Sequence, residues 1–278
     1  MSDCHVCFRH CNLTEGKTGF CGARICRNGE VIPSAYGRIT SLALDPIEKK
    51  PLHRFMPGSK ILSAGSYGCN LRCPFCQNSE ISWGDEVEYY SDTAQTVTPE
   101  ELVTLADRYK ERGNIGIAFT YNEPLICYEF VRDTAKLAHG HGLKNVIVSN
   151  GTAELSVLSE IIPYIDAMNI DLKCFDPETY KKVLGGDMQM TMDFIKEASK
   201  RSHVELTCLI VPGISDSPEM MREMTEWICL ISNEIPLHVS RFFPRFHMTD
   251  RDATPVATVY ELAAIAKEKL RYVYTGNC

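Results

Sequence analysis

No run of 18 apolar residues occurs anywhere in the 278 residues, which excludes a transmembrane helix. An excess of positive charge is missing too. The 29 Lys and Arg against 36 Asp and Glu leave a net charge of −7, so nothing electrostatic points to nucleic acid or an anionic membrane. The opening residues Met1-Ser2-Asp3-Cys4-His5 lack the basic and apolar regions of an export signal. Low-complexity tracts and fixed-period repeats are absent as well. The expectation is a cytoplasmic protein with an ordinary globular composition, 44% hydrophobic and 23% charged, able to bury a full core without disulfides.

Cysteine, by contrast, is abundant: 13 residues. In a reducing compartment that abundance points to metal ligation or redox chemistry rather than to a disulfide framework. Cys4, Cys7, Cys11, Cys21 and Cys26 open the chain, and Cys69, Cys73 and Cys76 form a second group. Cys127, Cys174, Cys208 and Cys229 stand alone and read as small buried hydrophobes.

From Lys60 onward the chain alternates short apolar runs with helical patterns. Strands are expected at Ile61–Ser66, Ile115–Thr120, Lys144–Ser149, Ala167–Leu172, Val204–Val211, Leu237–Phe242 and Tyr272–Tyr274. Helices fall between them, for example Pro99–Arg112, Leu125–Gly140 and Pro218–Ile231. Such alternation predicts an α/β fold, a partial (β/α)6-type TIM barrel over residues 59–278. Residues 1–58 then form a small Cys-rich N-terminal metal-binding segment, irregular apart from one or two short strands such as Ile39–Leu44, with no strand–helix unit of its own. Chemistry belongs at the C-terminal ends of the strands. Unusual polar residues gather at those ends: Gly68-Cys69-Asn70, Tyr121-Asn122-Glu123-Pro124, Ser149-Asn150-Gly151 and Asp171-Leu172-Lys173.

The segment Cys69-Asn70-Leu71-Arg72-Cys73-Pro74-Phe75-Cys76 spaces three thiols as C-x-x-x-C-x-x-C. Three soft ligands suit an iron–sulfur centre and leave one position open for substrate or cofactor. A zinc loop completed by a ligand from elsewhere is the bland alternative. Cys4, Cys7, Cys11 and Cys21 make a closed set of four thiolates, suited to structural Zn²⁺ or to a second iron–sulfur cluster. His5 and His10 are possible substitutes there, and Cys26 is the odd one out.

The Cys69–Cys76 loop, with its aromatic residue before the last Cys, resembles the radical S-adenosylmethionine (SAM) superfamily. Phe119-Thr120-Tyr121-Asn122-Glu123-Pro124, Asn169-Ile170-Asp171-Leu172-Lys173, Ile210-Val211-Pro212-Gly213 and Ser240-Arg241-Phe242-Phe243-Pro244 narrow the likeness further. They are similar to AmmeMemoRadiSam radical SAM proteins, relatives of pyruvate formate-lyase activating enzymes. The resemblance implies a [4Fe-4S] cluster on Cys69, Cys73 and Cys76, with SAM chelating the fourth iron. It implies reductive cleavage of SAM to a 5′-deoxyadenosyl radical for hydrogen abstraction, as in a glycyl-radical activase. It implies SAM contacts at Asn122, Glu123, Ser149, Asn150, Asp171 and Lys173, and a flavodoxin- or ferredoxin-like reductant. The substrate, a protein or a small molecule, stays unnamed. His238 and His247 are candidates to approach the site from the sixth strand and its loop. A non-catalytic zinc-binding interaction protein on the same scaffold is the competing reading. The Cys-rich head is expected to pack on the C-terminal face of the barrel.

Overall fold

The computed structural model describes residues 1–84 and 86–278. Its main sheet has eight strands: β1 (Ser41–Pro46), β2 (Lys60–Gly65), β3 (Asn114–Phe119), β4 (Lys144–Ser149), β5 (Ala167–Asp171), β6 (His203–Ile210), β7 (Leu237–Arg241) and β8 (Val273–Gly276). They lie side by side in chain order, and β1 and β8 remain the two edges. The sheet is not closed, as a partial barrel requires. From β2 to β8 every pairing is parallel. Seven parallel strands are thus present, one more than a six-unit barrel.

The N-terminal segment departs from expectation here. Strand β1 pairs antiparallel with β2 from Ser41 opposite Gly65 to Pro46 opposite Lys60. The main sheet therefore begins inside residues 1–58. An antiparallel edge strand needs only a short connection, so it adds to the sheet without a strand–helix unit.

Besides two short helices at Ser79–Ser82 and Val87–Thr93, the helices are α1 (Pro99–Arg108), α2 (Tyr128–Gly140), α3 (Leu155–Ile161), α4 (Pro177–Lys182), α5 (Met188–Ala198), α6 (Pro218–Ile231) and α7 (Val256–Lys267). Their ends are written in the sequence. Thr98 caps α1 in a reciprocal capping box with Glu101, and Pro99 holds the first turn. Leu102, Val103 and Ala106 form its buried stripe. The expected helix to Arg112 tightens into a 3₁₀ turn at Tyr109–Arg112 before left-handed Gly113 stops it.

Parallel strands covered on both faces read as near-continuous apolar runs, and Ile117-Ala118-Phe119 and Val146-Ile147 are buried accordingly. At the N-terminal ends of the strands, residues around Ile47 and Leu52 fold beneath the barrel. They pack on Ile61, Ala118, Val146 and Ala167. Glu205 pins this floor, accepting the amides of His53 at 3.0 Å and Arg54 at 2.7 Å. His203 Nε2 and His238 Nε2 also lie 2.9 and 2.7 Å from its oxygens. Asn169 Nδ2 donates to Pro51 O at 2.8 Å. His238 therefore belongs to the floor and not to the mouth, because it is the second residue of β7 and the site lies at the other strand ends.

The Cys-rich head sits on the opposite face. Two small hairpins, Ser2–Asp3 with Asn12–Leu13 and Arg24–Arg27 with Glu30–Pro33, give it most of its regular structure. Glu154 N donates to Val6 O at 2.9 Å, and Cys69 N donates to Cys21 O at 3.1 Å. Both contacts use loops at the C-terminal ends of strands, the face expected for the head. No helix among the described residues is long and apolar enough to cross a membrane.

Candidate active site

Strand β2 delivers the chain to Gly68, whose φ of +89° favours glycine. The loop Cys69–Cys76 follows and is fastened from several sides. Arg72 N donates to Leu184 O at 2.8 Å, and Cys76 N to Cys73 O at 3.1 Å. His247 N donates to Pro74 O at 3.0 Å, so His247 does approach the loop, through its backbone. Phe75 meets Phe242 edge-on at 6.5 Å.

The three cysteines form no disulfide; Cys73 is buried, and Cys69 and Cys76 are half-buried. Burial pushes the Cys73 thiol up to about 12, although Lys173 pulls it down. Burial also raises Cys69, helped by Glu123, and Cys76. A bound metal reverses this balance, because a coordinating thiol is deprotonated. Donors already aim at the sulfurs: Leu71 N lies 3.4 Å and Asn150 Nδ2 3.7 Å from Cys69 Sγ. Three thiols with amide donors and a nearby ammonium fit an iron–sulfur cluster.

Glu123 organises the neighbouring strand ends. Its carboxylate accepts from Leu125 N at 3.0 Å, Ser149 Oγ at 2.8 Å and Asn150 N at 2.8 Å. Burial nevertheless holds its pKa up near about 7. Asn150 Nδ2 donates to Asn70 Oδ1 at 2.9 Å, and Asn70 Nδ2 to Thr152 O at 2.8 Å. Asn122 ties the strand to the cysteine loop: its Oδ1 accepts Ser66 N at 3.0 Å and its Nδ2 donates to Tyr67 O at 3.0 Å. Lys173 Nζ and Asp171 Oδ2 form an ion pair at 2.8 Å. That pair and the Cys73 thiol raise the lysine despite its burial.

The six residues expected to contact SAM thus gather around the cysteine loop. The side chains of Asn122, Glu123, Ser149 and Asn150 are engaged with one another and with the backbone. Their geometry is that of a rigid shelf rather than of free arms. Tyr121 adds strain to it, a non-glycine residue at φ +76°. Its hydroxyl donates to Asp45 Oδ2 at 2.7 Å, and Lys50 Nζ lies 2.9 Å from the same oxygen. Asp45 and Lys50 were not legible as site neighbours, since both lie in a stretch with irregular patterning. Arg9, which donates from Nε to Asn70 O at 3.0 Å, carried no signal either.

Cys4, Cys7, Cys11 and Cys21 line one cavity together with Arg9, Arg24 and Asn70. Cys26 is buried outside it, in the Arg24–Arg27 strand. His5 and His10 do not line it, and His10 Nε2 instead lies 3.3 Å from Glu154. Among the described residues no three His, Cys, Asp or Glu side chains close around a single-ion point.

Comparison with known proteins follows this geometry closely. Residues 64–228 match the family model of the Radical SAM superfamily. An uncharacterised protein of Methanocaldococcus jannaschii is 41% identical over 99% of this chain and 80% of its own length. The pyruvate formate-lyase-activating enzyme of Clostridium pasteurianum is 29% identical over 60% of this chain and 68% of its own. Streptococcus suis SuiB bound to S-adenosylmethionine shares the fold, with a TM-score of 0.59 at 13% identity, over 76% of this chain and 48% of that one. A purely structural zinc scaffold is set aside by these relationships. With three thiols on the loop after the first parallel strand and the family model running from that strand through α6, the chain is an enzyme of the radical SAM superfamily.

Proposed function

We propose that Cys69, Cys73 and Cys76 hold a [4Fe-4S] cluster and that the shelf beside them seats SAM. When bound, this pair of cofactors supplies one-electron cleavage of SAM to methionine and a 5′-deoxyadenosyl radical, which takes hydrogen from the substrate. The observation that carries the reading is the Asn150 side chain, shared between Cys69 Sγ and Asn70 and set by Glu123 through the adjacent amide. One residue thereby connects the cysteine loop to the carboxylate at the neighbouring strand end.

The remaining residues bind, orient and exclude water. Glu123 offers a buried carboxylate to the SAM ammonium, with Asn122 and Ser149 holding the backbone around it. Asp171 and Lys173, paired at the end of β5, would bind the ribose and carboxylate of SAM. The head over the mouth limits water access while a radical is present. A ferredoxin- or flavodoxin-like protein provides the electron. The activating-enzyme relatives favour a glycyl Cα–H of a partner polypeptide as the hydrogen donor.

The test is anaerobic incubation of the iron-loaded protein with SAM and a one-electron reductant. Formation of 5′-deoxyadenosine by the wild type, and its loss in C69A/C73A/C76A, is expected. Equal formation by both proteins overturns the reading.

A further inference from the structure

The second group of thiols is the feature that SAM cleavage does not use. Cys4, Cys7, Cys11 and Cys21 come from two turns of the head and converge on a single cavity. Its surroundings are cationic. Arg9 lines it, stacked 3.4 Å from the centre of the Phe20 ring, and Arg24 lines it from the other hairpin.

Two further details point to a ligand. Arg24 is buried, yet its Nε has no hydrogen-bond partner, while its other nitrogens reach Glu129, Ile126 O and Val31 O. Arg24 lines the cavity, so an acceptor bound there can satisfy this buried donor. Polar donors also stand close to two of the sulfurs, the Arg9 amide and the Asn70 side chain to Cys7 and the Ala23 amide to Cys21. Amide donors to sulfur are how proteins tune iron–sulfur clusters. The same arrangement occurs at Cys69, where Leu71 N is the donor.

The choice between zinc and a cluster rests on spacing. Tetrahedral zinc, with Zn–S of about 2.3 Å, draws four sulfurs into mutual contact around one point. These thiols stand as the walls of a cavity, and no such point exists among the described residues. The Cys69, Cys73 and Cys76 thiols are likewise not closed up. A polynuclear body with thiolates at its corners needs that wider setting.

We infer that Cys4, Cys7, Cys11 and Cys21 hold a second iron–sulfur cluster, separate from the SAM-cleaving one and sharing Arg9, Asn70 and the Cys21–Cys69 backbone hydrogen bond with it. The shared parts set the two centres side by side. Asn70 faces Cys7 on one side and reaches Asn150 on the other.

Iron, zinc and acid-labile sulfide are measured after anaerobic reconstitution with both metals present. The wild type is expected to carry roughly eight irons per chain, two clusters' worth. C69A/C73A/C76A keeps about half of that iron, and its reduced EPR signal does not respond to SAM. Because this variant lacks the first site, the result stands or falls independently of SAM cleavage. C4S/C7S/C11S/C21S keeps the other half, with a signal that SAM perturbs. Zinc in place of iron in C69A/C73A/C76A, or no metal there in soluble, folded protein, overturns the inference. If C4S/C7S/C11S/C21S fails to fold, the wild-type iron count and C69A/C73A/C76A decide.

Discussion

Gly68 lies so near the carbonyl of Cys21 that a Cβ built on it would stand 2.5 Å from that oxygen. The same atom would stand 2.9 Å from Ala23 Cβ. Head and cysteine loop are in contact at a position where only glycine fits.

Gly68→Ala should therefore loosen the head. The left-handed backbone alone costs about 1–3 kcal/mol in a residue with a side chain, and the Cys21 carbonyl must retreat. Hydrogen exchange across residues 4–26 should accelerate, while the amides of β3 to β6 keep their protection. Unchanged exchange in the head would show that the contact is dispensable.

Removing the buried carboxylate tests the shelf. Glu123→Gln presents an NH2 group toward Leu125 N, Ser149 Oγ or Asn150 N, all of which are donors to the native residue. One mismatched buried contact costs about 1–3 kcal/mol, so SAM affinity should fall by ~10-fold or more. Equilibrium dialysis with the iron-loaded variant measures it. Wild-type affinity would mean that Glu123 neither meets SAM nor orders the residues that do.

Glu205 gives the floor a pH dependence. Burial raises its pKa, but His203, His238 and the amides of Arg54 and His53 outweigh burial and hold it at about 2, below the ordinary 4.5. A carboxylate depressed on folding stabilises the fold above its unfolded pKa and ceases to as pH falls through the folded one. The difference corresponds to about 3 kcal/mol, lost below about pH 4.5. Wild type should thus lose more stability than Glu205→Gln between about pH 6 and about pH 3.5, in paired denaturant melts. Acid release of any bound metal would be common to both proteins, and parallel curves would count against the assignment.

Lys50 is buried against Asp45, so Lys50→Met should disturb less than Asp45→Asn. Methionine removes the charge and keeps the bulk, whereas Asp45→Asn leaves a buried ammonium uncompensated. Asp45→Asn should cost about 3–5 kcal/mol by that reasoning. Thermal melts of the two variants compare them directly, and equal losses would contradict the argument.

The cysteine loop and the strand order were legible because both are local. C-x-x-x-C-x-x-C names its own chemistry, and strands in chain order follow from alternating patterns. The edge strand β1 was legible only as a short strand over Ile39–Leu44, since nothing local says that it joins β2 at the edge of the main sheet. His238 looked like a site residue because a lone histidine carries no sign of which end of its strand it occupies. Its partner Glu205 lies 33 positions away, and the amides of His53 and Arg54 lie more than 150 away. Arg9 looked like any charged residue of a polar head. Only the approach of the loop at Asn70, 61 positions on, gives it a task.

The head is made before the barrel elements that complete it. Arg9 donates to the carbonyl of Gly185, 176 positions later. Val6 waits for the amide of Glu154. At about 5–20 residues per second, synthesis leaves the four leading thiols without that shelter for roughly 10–40 seconds. During this interval on the ribosome they are accessible to oxidants and to metal donors alike. The order of manufacture thus leaves the head open to oxygen before the barrel that it covers has formed.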